Sequence, residues 1–561
     1  MALFNSDNHV EQKYNEVYYD VDLYLDNSGD FNNPRRYHIN PAAVLNLSIS
    51  DTANDWIVDG FLSFMYLPEE IEKTTTGQTA STFTGTELAA AENGKMLQNY
   101  QFRNDGYDLL RVMIVPKKPT PLGPNDIDVD SNNMKWMLSY VFSIYDIEDV
   151  NDVSTLQGNS SGLIKCLKLK FHDIRYQMLR TANIEYSTSI PKDQTLTPNF
   201  NSEIAKTQGV LHTGDILRDI FNEVLANPNN GGCEEFKIEA GPRWDIGKSE
   251  LFYTSPAQST AAEDIDYIYS HHVSTKALEG APADVELNDM CLLHTDRPKA
   301  YGEIEPLVLT PVTDLFEKAG KDSASPGELQ KEHFFVTDLT EETLPTNLYK
   351  SPIGGNDVDV DLKTSKFGQI ISYSFVDMSA SINSERFRTT PVYSVDIKNR
   401  QFNIEFKGND IKNIKNVISK SYISKLYKNA KDEDCFLPVL HKNKKDLNLF
   451  PTFSLNGNNA IVRQKNGLHD LLYTGLFQNA CICFNTLGLT LRESGTFIGI
   501  DKTDGSPNTD FSNKLYGQWF VVRVDHIFEA GAYMNVIYAV KLHRHSILKT
   551  KFEGLLENNI I

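Results

Sequence analysis

Short segments in which apolar and polar residues alternate constrain this chain more than any other feature of its sequence. In the segment FLSFMY (residues 61–66), Leu62, Phe64 and Tyr66 share one face. The segment CLKLKFH (residues 166–172) alternates in the same way, with its lysines on the polar face. Successive side chains of a strand point to opposite faces, so this period predicts half-buried strands. The same pattern recurs near both ends of the sequence, which predicts a mainly β protein.

The clearest hairpin signal lies near the C-terminal end. The segment WFVVRVDH (residues 519–526) is followed by Glu529-Ala530-Gly531 as a turn and then by YMNVIYAVKL (residues 533–542). Two apolar runs separated by a short glycine-containing turn predict a β-hairpin. The residues expected to face one another across it are Phe520, Val522 and Val524 on the first strand and Met534, Val536, Tyr538 and Val540 on the second.

The middle of the chain changes to helical spacing. Six apolar residues between 215 and 225 recur at helical spacing, and Asn227-Pro228 ends that pattern. Thr260 and Glu263 have the spacing of a capping box at the start of a second helix, which would bury Ile265 and Ile268. A third, short helix is predicted near residues 312–318.

These patterns predict two similar β-barrel domains linked by a mixed α/β domain. The predicted boundaries are 1–205 for the first barrel domain, which is allowed to be discontinuous, 206–345 for the linking domain and 346–561 for the second barrel domain. The last of these carries a basic helical insertion near 412–445. A chain of 561 residues is long enough for several domains.

A near-repeat supports the idea of duplication. The sequence NDIDVD (residues 125–130) returns as NDVDVD (residues 356–361), and each copy precedes an aliphatic-Ser-Tyr-x-Phe segment, at 138–142 and at 371–375. Duplicated domains explain this arrangement. Calcium loops are an alternative, but both copies lack the glycine and closing glutamate of an EF-hand loop. Aspartate-rich turns without a ligand are a third reading.

No motif with catalytic or cofactor-binding chemistry stands out. The sequence contains no GxSxG, Walker A, HExxH or GxGxxG pattern. His271-His272 and His543-Arg544-His545 lack the further ligands that a zinc site requires. The six cysteines are scattered, which favours reduced, buried thiols. We therefore expect no catalytic residue, no cofactor and no metal, and a protein that is not an enzyme.

Charge gives two further indications. The net charge of −21 disfavours nonspecific binding to a nucleic-acid backbone. Against that balance, residues 412–445 hold nine lysines and three acids. This segment is either a docking patch for an acidic partner or a solvated helix and loop. The candidate docking residues are Lys412, Lys415, Lys420, Lys425, Lys428, Lys442, Lys444 and Lys445.

The sequence is not that of a typical membrane protein. Its first ten residues lack the basic region and apolar run of a signal peptide. Residues 471–491 carry no charge, but they hold Gln478, Asn479 and Asn485, which a lipid-facing helix would resist. That span is predicted to be a short helix leading into a strand. We expect no membrane-spanning segment and synthesis in a host cytoplasm.

Several segments resemble the baseplate hub proteins of contractile-tailed bacteriophages, which are related to the N-terminal part of type VI secretion spike proteins. These segments are VLNLSISDTANDWIVDGFLSFMY (44–66), SYVFSIYDIEDVND (139–152), KCLKLKFHDIRYQMLRTANIEYST (165–188), AEDIDYIYSHHVS (262–274), CLLHTDRP (291–298), GLTLRESGTFIGI (488–500) and YGQWFVVRVDHIFEAGAYMNVIYAVKL (516–542). Together they cover only about a quarter of the chain, and their order and spacing carry the resemblance.

The resemblance implies a structural virion protein in the tail baseplate. It implies a homotrimer in which six similar barrels join a sixfold tail tube to a threefold spike. The implied partners are the tail tube protein, the spike or puncturing protein and the baseplate wedge proteins. Tape-measure protein and DNA would pass through the ring without specific binding. The packing and interface residues suggested by these segments are Trp56, Phe64, Tyr140, Tyr373, Trp519, His526 and Phe528.

Other functions fit the same patterns. A wedge, an adaptor or a tube-end ring protein would also be β-rich and acidic, and sixfold assembly would distinguish it from a hub. A cell-wall hydrolase with an unrecognised site is a second alternative, testable on peptidoglycan. A carbohydrate-binding receptor protein is a third, since the chain has 25 tyrosines.

Overall fold

The computed structural model places most of the β-rich segments and leaves several connecting stretches undescribed. It describes residues 10–541 apart from isolated positions and the stretches 69–84, 117–136, 151–163, 187–210, 239–249, 278–285, 299–302, 312–331, 337–366, 378–391, 397–400, 406–451, 455–479 and 502–514. Both Asp-rich hexapeptides, the predicted helix near 312–318 and the lysine-rich segment 412–445 lie outside the described residues.

The described part of the first β region contains eight strands and two α-helices. They are β1 (Val10–Tyr14), β2 (Val17–Asp26), β3 (Tyr37–His38), β4 (Val44–Thr52), β5 (Asp59–Tyr66), α1 (Gly85–Asn99), β6 (Leu109–Pro116), β7 (Leu138–Val150), β8 (Lys165–Asp173) and α2 (Ile174–Thr181).

The described residues of the linking region, 211–311, form two α-helices and three short pairs of antiparallel strands. Its elements are β9 (Leu211–His212), α3 (Thr213–Phe221), β10 (Glu250–Leu251), α4 (Ala261–Tyr269), β11 (Ser274–Ala277), β12 (Glu286–Asp289), β13 (Cys291–Thr295) and β14 (Leu307–Pro311).

The rest of the described chain returns to strands. These are β15 (Glu332–Phe335), β16 (Ser372–Asp377), β17 (Val392–Asp396), β18 (Gln401–Glu405), β19 (Thr452–Ser454), β20 (Ala480–Leu487), β21 (Phe497–Asp501), β22 (Gly517–Glu529) and β23 (Ala532–Lys541). Strands β17, β18 and β19 form a small sheet of their own. The others make up the second β region. The prediction of a mainly β chain is confirmed.

One sheet runs through both β regions. Its strand order is β1-β2-β6-β7-β8-β5-β4-β22-β23-β20-β16. Three further strands belong to the same sheet: β3 pairs with β2, β21 pairs with β22, and β15 pairs with β21. The regions join where β4 pairs antiparallel with β22. On one side of that junction β5, β8 and β7 follow β4, and on the other β23, β20 and β16 follow β22. The chain order of the two sets differs, because β4 and β5 come before β7 and β8, whereas β22 and β23 come after β16 and β20. The aliphatic-Ser-Tyr-x-Phe strands, β7 and β16, are each the fourth strand from the centre.

The first β region curls around an apolar core without closing into a barrel. The backbone N–H of Asn15, just after β1, donates to the Gly531 carbonyl at 3.1 Å. Its side-chain amide donates to the Tyr533 carbonyl at 2.7 Å. The end of β1 therefore returns to the β22–β23 turn. No ladder joins β1 to β4 among the described strands, so the predicted closed barrels are not present in the described part of the chain.

The β22–β23 hairpin is present as predicted, but its pairing differs from the predicted one. Phe520 pairs with Val540, and a register shift at Val522 then places Val524 opposite Ile537. A β-bulge adds one residue to one strand and turns the following side chains to the other face. The expected pairing of Val524 with Val536 or Tyr538 is therefore wrong.

Three large hydrophobic cores and two smaller clusters lie among the described residues. The first core fills the first β region and includes Leu23, Ile49, Phe64, Phe142 and Phe171. The second core includes Phe484, Ile500, Trp519, Val524 and Ile537. The linker core lies between the linking helices and the first β region and includes Trp56, Met113, Phe221, Ile265 and Leu293.

The linking helices follow their sequence signals. Helix α4 begins at the predicted capping box, with the Thr260 side chain accepting from the Glu263 N–H and the Glu263 side chain accepting from the Thr260 N–H. Ile265 and Ile268 are fully buried, as expected. Helix α3 continues into one π-helical turn and ends before Asn227.

The expectation that the cysteine thiols are buried holds for only some of the described cysteines. Cys233 and Cys291 are buried, whereas Cys166, Cys481 and Cys483 are only half-buried, and these five thiols are free. Cys481 and Cys483 lie on β20 on the face opposite the second core, because Ile482 and Phe484 occupy its apolar face.

Candidate functional site

A group of polar side chains is buried where the first β region, the linking region and the second β region meet. We call this group the polar seam. Its members are Asp51, Tyr140, Arg297, Glu305, Arg492, Glu493, Ser494, His526 and Asn535. All of them except Glu493 are less than a tenth exposed, and Glu493 is half-buried. Buried polar groups are costly unless they bond to one another, so this clustering requires specific partners.

The β22–β23 hairpin explains why the seam lies between two apolar cores. Phe528 and Tyr533 pair across the hairpin and belong to the first core. Four residues before Phe528 on β22, Val524 pairs with Ile537 in the second core. The pair between them is His526 with Asn535. On the inward face of the hairpin, one polar cross-strand pair therefore lies between two apolar pairs.

His526 is held in a neutral state. The Tyr533 hydroxyl lies 2.6 Å and the Asn535 amide nitrogen 3.1 Å from His526 Nδ1. Burial lowers the pKa of His526 well below its ordinary value, and the nearby guanidinium groups of Arg297 and Arg492 lower it further. A neutral imidazole accepts at one nitrogen and donates at the other, which suits a hydrogen-bonded core position.

The β13–β14 hairpin brings Arg297 and Glu305 to the seam from the linking region. Arg297 Nη1 donates to Glu305 Oε1. The Tyr140 hydroxyl, on β7, donates to the other carboxylate oxygen at 2.5 Å. Arg175 of α2 donates to the Glu305 backbone carbonyl at 2.9 Å. Glu305 thus joins the linking region to the first β region through both its side chain and its backbone.

The second β region contributes residues to the polar seam from the turn between β20 and β21. Arg297 Nη2 donates to the Arg492 backbone carbonyl at 2.7 Å, and Arg297 Nε lies 3.7 Å from Glu493 Oε2. The Arg492 side chain donates to Asn535 Oδ1 at 3.1 Å and to the Phe367 carbonyl at 2.7 Å. The Arg297 guanidinium therefore bridges the linking region to the second β region.

The first and second β regions also contact each other directly at the seam. Asp51, near the end of β4, accepts from the Ser494 N–H at 2.9 Å and from the Ser494 hydroxyl at 3.0 Å. Burial raises the pKa of Asp51, although Arg297 acts in the opposite direction. Burial also raises the pKa of Glu305 to about 8, again opposed mainly by Arg297.

The packing and interface residues proposed from the sequence lie in different parts of the structure. Tyr140 and His526 belong to the polar seam. Phe64 and Phe528 lie in the first core, and Trp519 lies in the second.

Two further candidates lie elsewhere. Trp56 is in the linker core, where its ring meets Tyr176 at 5.7 Å and Phe221 at 6.0 Å between centroids. Tyr373 is 43% exposed on β16, unlike Tyr140, its counterpart in the other aliphatic-Ser-Tyr-x-Phe segment. The eight candidate lysines of the basic segment lie outside the described residues and stay a prediction.

Sequence reasoning missed most of the seam. Arg297 lies in the segment CLLHTDRP and Arg492 in GLTLRESGTFIGI, but nothing in those segments shows that the two side chains are buried. An arginine in a loop is usually solvated. The sequence offered only an indirect sign that these two arginines belong to a site, because both lie in segments that resemble one family.

The outward face of β7 and β8 carries a charge ladder instead of a net negative surface. Lys170 Nζ lies 2.7 Å from Asp146 Oδ2 and 2.5 Å from Glu148 Oε1. Lys168 and Lys165 add longer pairs, to Glu148 at 3.6 Å and to Asp149 at 3.7 Å. These pairs are exposed to solvent, so each contributes little to stability.

Neither a metal centre nor a membrane helix is found in the part of the chain that the structure describes. No group of three or more histidine, cysteine, aspartate or glutamate side chains there is arranged to hold a metal ion. No helix there is both long and apolar enough to cross a membrane.

No family model matches the sequence, and no curated protein matches it. Solved structures do show similarity. The tail protein from Neisseria meningitidis MC58 aligns over 93% of this chain and 96% of its own, with 7% identity and a TM-score of 0.41. The 43 kDa tail protein of prophage MuSo2 from Shewanella oneidensis aligns over 94% and 99%, with 10% identity and a TM-score of 0.38.

A third similar structure comes from a secretion system. The E. coli c3393 protein, described as a component of the type VI secretion system with structural similarity to the T4 bacteriophage tail proteins gp27 and gp5, aligns over 89% of this chain and 73% of its own. Its identity is 6% and its TM-score is 0.32. These three structures are two tail proteins and a type VI secretion component.

Proposed function

We propose that this chain is a structural protein of a contractile tail or related injection device, and that it forms the central baseplate hub. It would assemble as a homotrimer that joins the tail tube to the spike. The observation that carries the proposal is the polar seam, because sequence segments that separately resemble hub proteins, 44–66, 139–152, 291–298, 488–500 and 516–542, all contribute side chains to it.

The strand order supports duplicated units. The strands β4, β5, β8 and β7 lie on one side of the junction and β22, β23, β20 and β16 on the other, and all of these pairings are antiparallel. Each set begins with a hairpin next to the junction, although the two sets follow in a different chain order. The recurring aliphatic-Ser-Tyr-x-Phe segment occupies the same position in both sets. In a trimer, two such units per subunit give six similar units around the axis, which suits a junction between sixfold and threefold rings.

The function is then mechanical. The chain would hold the spike, contact baseplate wedge proteins and transmit the force of contraction, and it would later let tape-measure protein and DNA pass. None of these steps requires a nucleophile or a cofactor. The excess of acidic residues in the whole chain suits a surface that DNA passes without binding. The paired ladder on β7 and β8 indicates that any such acidic lining lies elsewhere.

The first test is the symmetry of the purified full-length chain, measured by mass photometry and by class averages from negative-stain electron microscopy. A trimeric ring with a central hole is expected. A hexameric ring would contradict the hub and favour a tube-end or adaptor protein. If the chain is monomeric alone, the same measurement is repeated with tail tube protein and spike added, and failure to form a threefold complex with both would also contradict the proposal.

A further inference from the structure

Strand β16 forms one end of the shared sheet. It pairs with β20 from Ser372 to Asp377, and no other described strand pairs with it. A strand at the edge of a sheet leaves a row of backbone N–H and C=O groups without ladder partners, and such a row can pair with another chain. Proteins usually protect an edge of this kind with charged side chains or proline. Residues 371–376 read ISYSFV and include neither.

The other end of the sheet is protected in the usual way. Strand β1 reads VEQKY, and its two charged side chains, Glu11 and Lys13, are exposed. Charged side chains on an edge strand hinder the approach of a further strand, because pairing would take their charges out of water. Of the two ends of the sheet, β16 is therefore the one whose composition allows another strand to join.

Apolar side chains are exposed on both faces of β16. Tyr373 is opposite Phe484 of the second core, which places its ring on the core-side face, yet it is 43% exposed. Val376 is opposite Cys481 on the other face and is 52% exposed. A helix packed on one face would cover only one of these two side chains. A strand paired along the edge extends both faces of the sheet, so it can cover both.

A second copy of the sequence pattern indicates what kind of strand fits. In the first β region the aliphatic-Ser-Tyr-x-Phe segment lies on β7, where Tyr140 and Phe142 are 1% exposed or less. Strand β7 has β8 along one edge and β6 along the other. Strand β6 runs antiparallel and places Val112 opposite Tyr140 and Leu110 opposite Phe142. The strand that fits β16 is therefore an antiparallel extended segment with aliphatic side chains at alternate positions, one of them facing Tyr373.

We propose that the free edge of β16 pairs with an extended strand of a second copy of this chain and so forms a contact between subunits. Copies of a chain with a net charge of −21 repel one another, so a contact between them requires a surface without acidic side chains. The β16 edge meets that requirement from residue 371 to residue 376.

This inference rests on the proposed homotrimer and names the surface through which its subunits meet. Subunits of a threefold ring meet through two different surfaces. Strand β16 therefore pairs with a different strand of the neighbouring copy, not with the neighbour's own β16.

Two lysine variants of the full-length chain test the contact, under the conditions that give its threefold complex. Tyr373→Lys and Val376→Lys each place a charge on one face of the edge, and neither replaces a buried side chain. Both should weaken the association of subunits about tenfold or more in a dilution series followed by mass photometry, because a paired strand would bury the new charge. The matched control is Leu88→Lys on α1, since Leu88 is 48% exposed, and it should associate like the unmodified chain. Circular dichroism checks that all three variants fold.

Hydrogen exchange gives a second measurement that depends on no variant. In subunits separated by dilution, about half of the β16 amides should exchange rapidly, because an edge strand directs alternate N–H groups away from its paired neighbour. In the assembled chain those amides should be protected. The amide of Leu169, in the first core, should stay protected in both states.

Folded lysine variants that associate as tightly as the unmodified chain would overturn this inference and leave the hub proposal standing. Full protection of the β16 amides in separated subunits would also overturn it, because the same chain would then cover the edge. Protection that arises only on adding spike or tail tube protein would assign the edge to a strand of that protein instead of a second copy. An unmodified chain that forms no threefold complex, alone or with both proteins, would overturn the hub proposal and this inference together.

Discussion

The Asp51 carboxylate accepts two hydrogen bonds from Ser494, a residue 443 positions away in the chain. One comes from the backbone N–H and the other from the hydroxyl, and all four atoms are buried. This contact joins the end of β4 to the turn before β21. It shows that the two β regions are connected by specific polar contacts as well as by the shared sheet.

This contact gives a first prediction. Asp51→Ala should destabilise the chain by about 1–3 kcal/mol, because the buried N–H of Ser494 loses its acceptor. Ser494→Ala should cost less, since its N–H still donates to the carboxylate. A double-mutant cycle by denaturant unfolding should give a coupling of at least about 0.5 kcal/mol. Strictly additive effects would show that the contact is not formed.

The ion pair between Arg297 and Glu305 gives a second prediction. Arg297→Met should cost about 3–5 kcal/mol, because it leaves the buried Glu305 and the half-buried Glu493 without their cation. The double variant Arg297→Met with Glu305→Met should be more stable than Arg297→Met alone, since apolar replacements of buried pairs are often neutral. Thermal unfolding of the two variants compares them directly. A double variant that is less stable than Arg297→Met would contradict this account of the seam.

The two most different aromatic candidates give a third prediction. Phe64 is fully buried in the first core, and Phe64→Ala should cost about 3–5 kcal/mol. Tyr373 is 43% exposed, and Tyr373→Ala should change the unfolding free energy by no more than about 0.5 kcal/mol. Denaturant unfolding measures both. If Tyr373→Ala leaves stability unchanged but weakens self-association, the Tyr373 side chain belongs to an interface between subunits.

Gly60 gives a fourth prediction from the β4–β5 pairing. A Cβ at this position would lie 1.9 Å from the Ser48 backbone carbonyl oxygen, so Gly60→Ala must separate two paired strands. We expect little soluble, folded protein from that variant. Gly85→Ala is the control, because a Cβ there meets nothing within 4 Å and alanine favours the helix that starts at this residue. Circular dichroism and size-exclusion chromatography compare the two, and normal folding of Gly60→Ala would refute the close approach.

The capping box of α4 gives a fifth prediction. Thr260→Ala removes the oxygen that accepts from the Glu263 N–H and should cost about 1 kcal/mol. Thr260→Ser keeps that oxygen and should be close to the unmodified chain. Hydrogen exchange of the first turn of α4 localises the effect. Equal protection in both variants would mean that the cap does not stabilise the helix.

Local patterns predicted local structure well. Period-two segments became strands, and Thr260 with Glu263 began a helix, because both rules depend on neighbouring residues and on one buried face. The bulge at Val522 escaped prediction, since a single inserted residue leaves the composition of a strand unchanged and only the partner strand reveals the shift. His172 was expected on the polar face of β8, yet it is 6% exposed because the Tyr145 ring stacks on it at 5.0 Å.

The sequence alone determined the mainly β character, the helical middle and the strong C-terminal hairpin, because alternation, helical spacing and turn residues act within a few positions of one another. Only the tertiary structure decided that both β regions share one sheet, that Tyr140 is buried while Tyr373 is exposed, and that Asp51, Arg297, Glu305 and Arg492 meet. A buried polar group needs a partner, and apart from Arg297 and Glu305, which share one hairpin, the partners in the seam lie far apart in the chain. Burial and pairing of that kind depend on how whole elements pack.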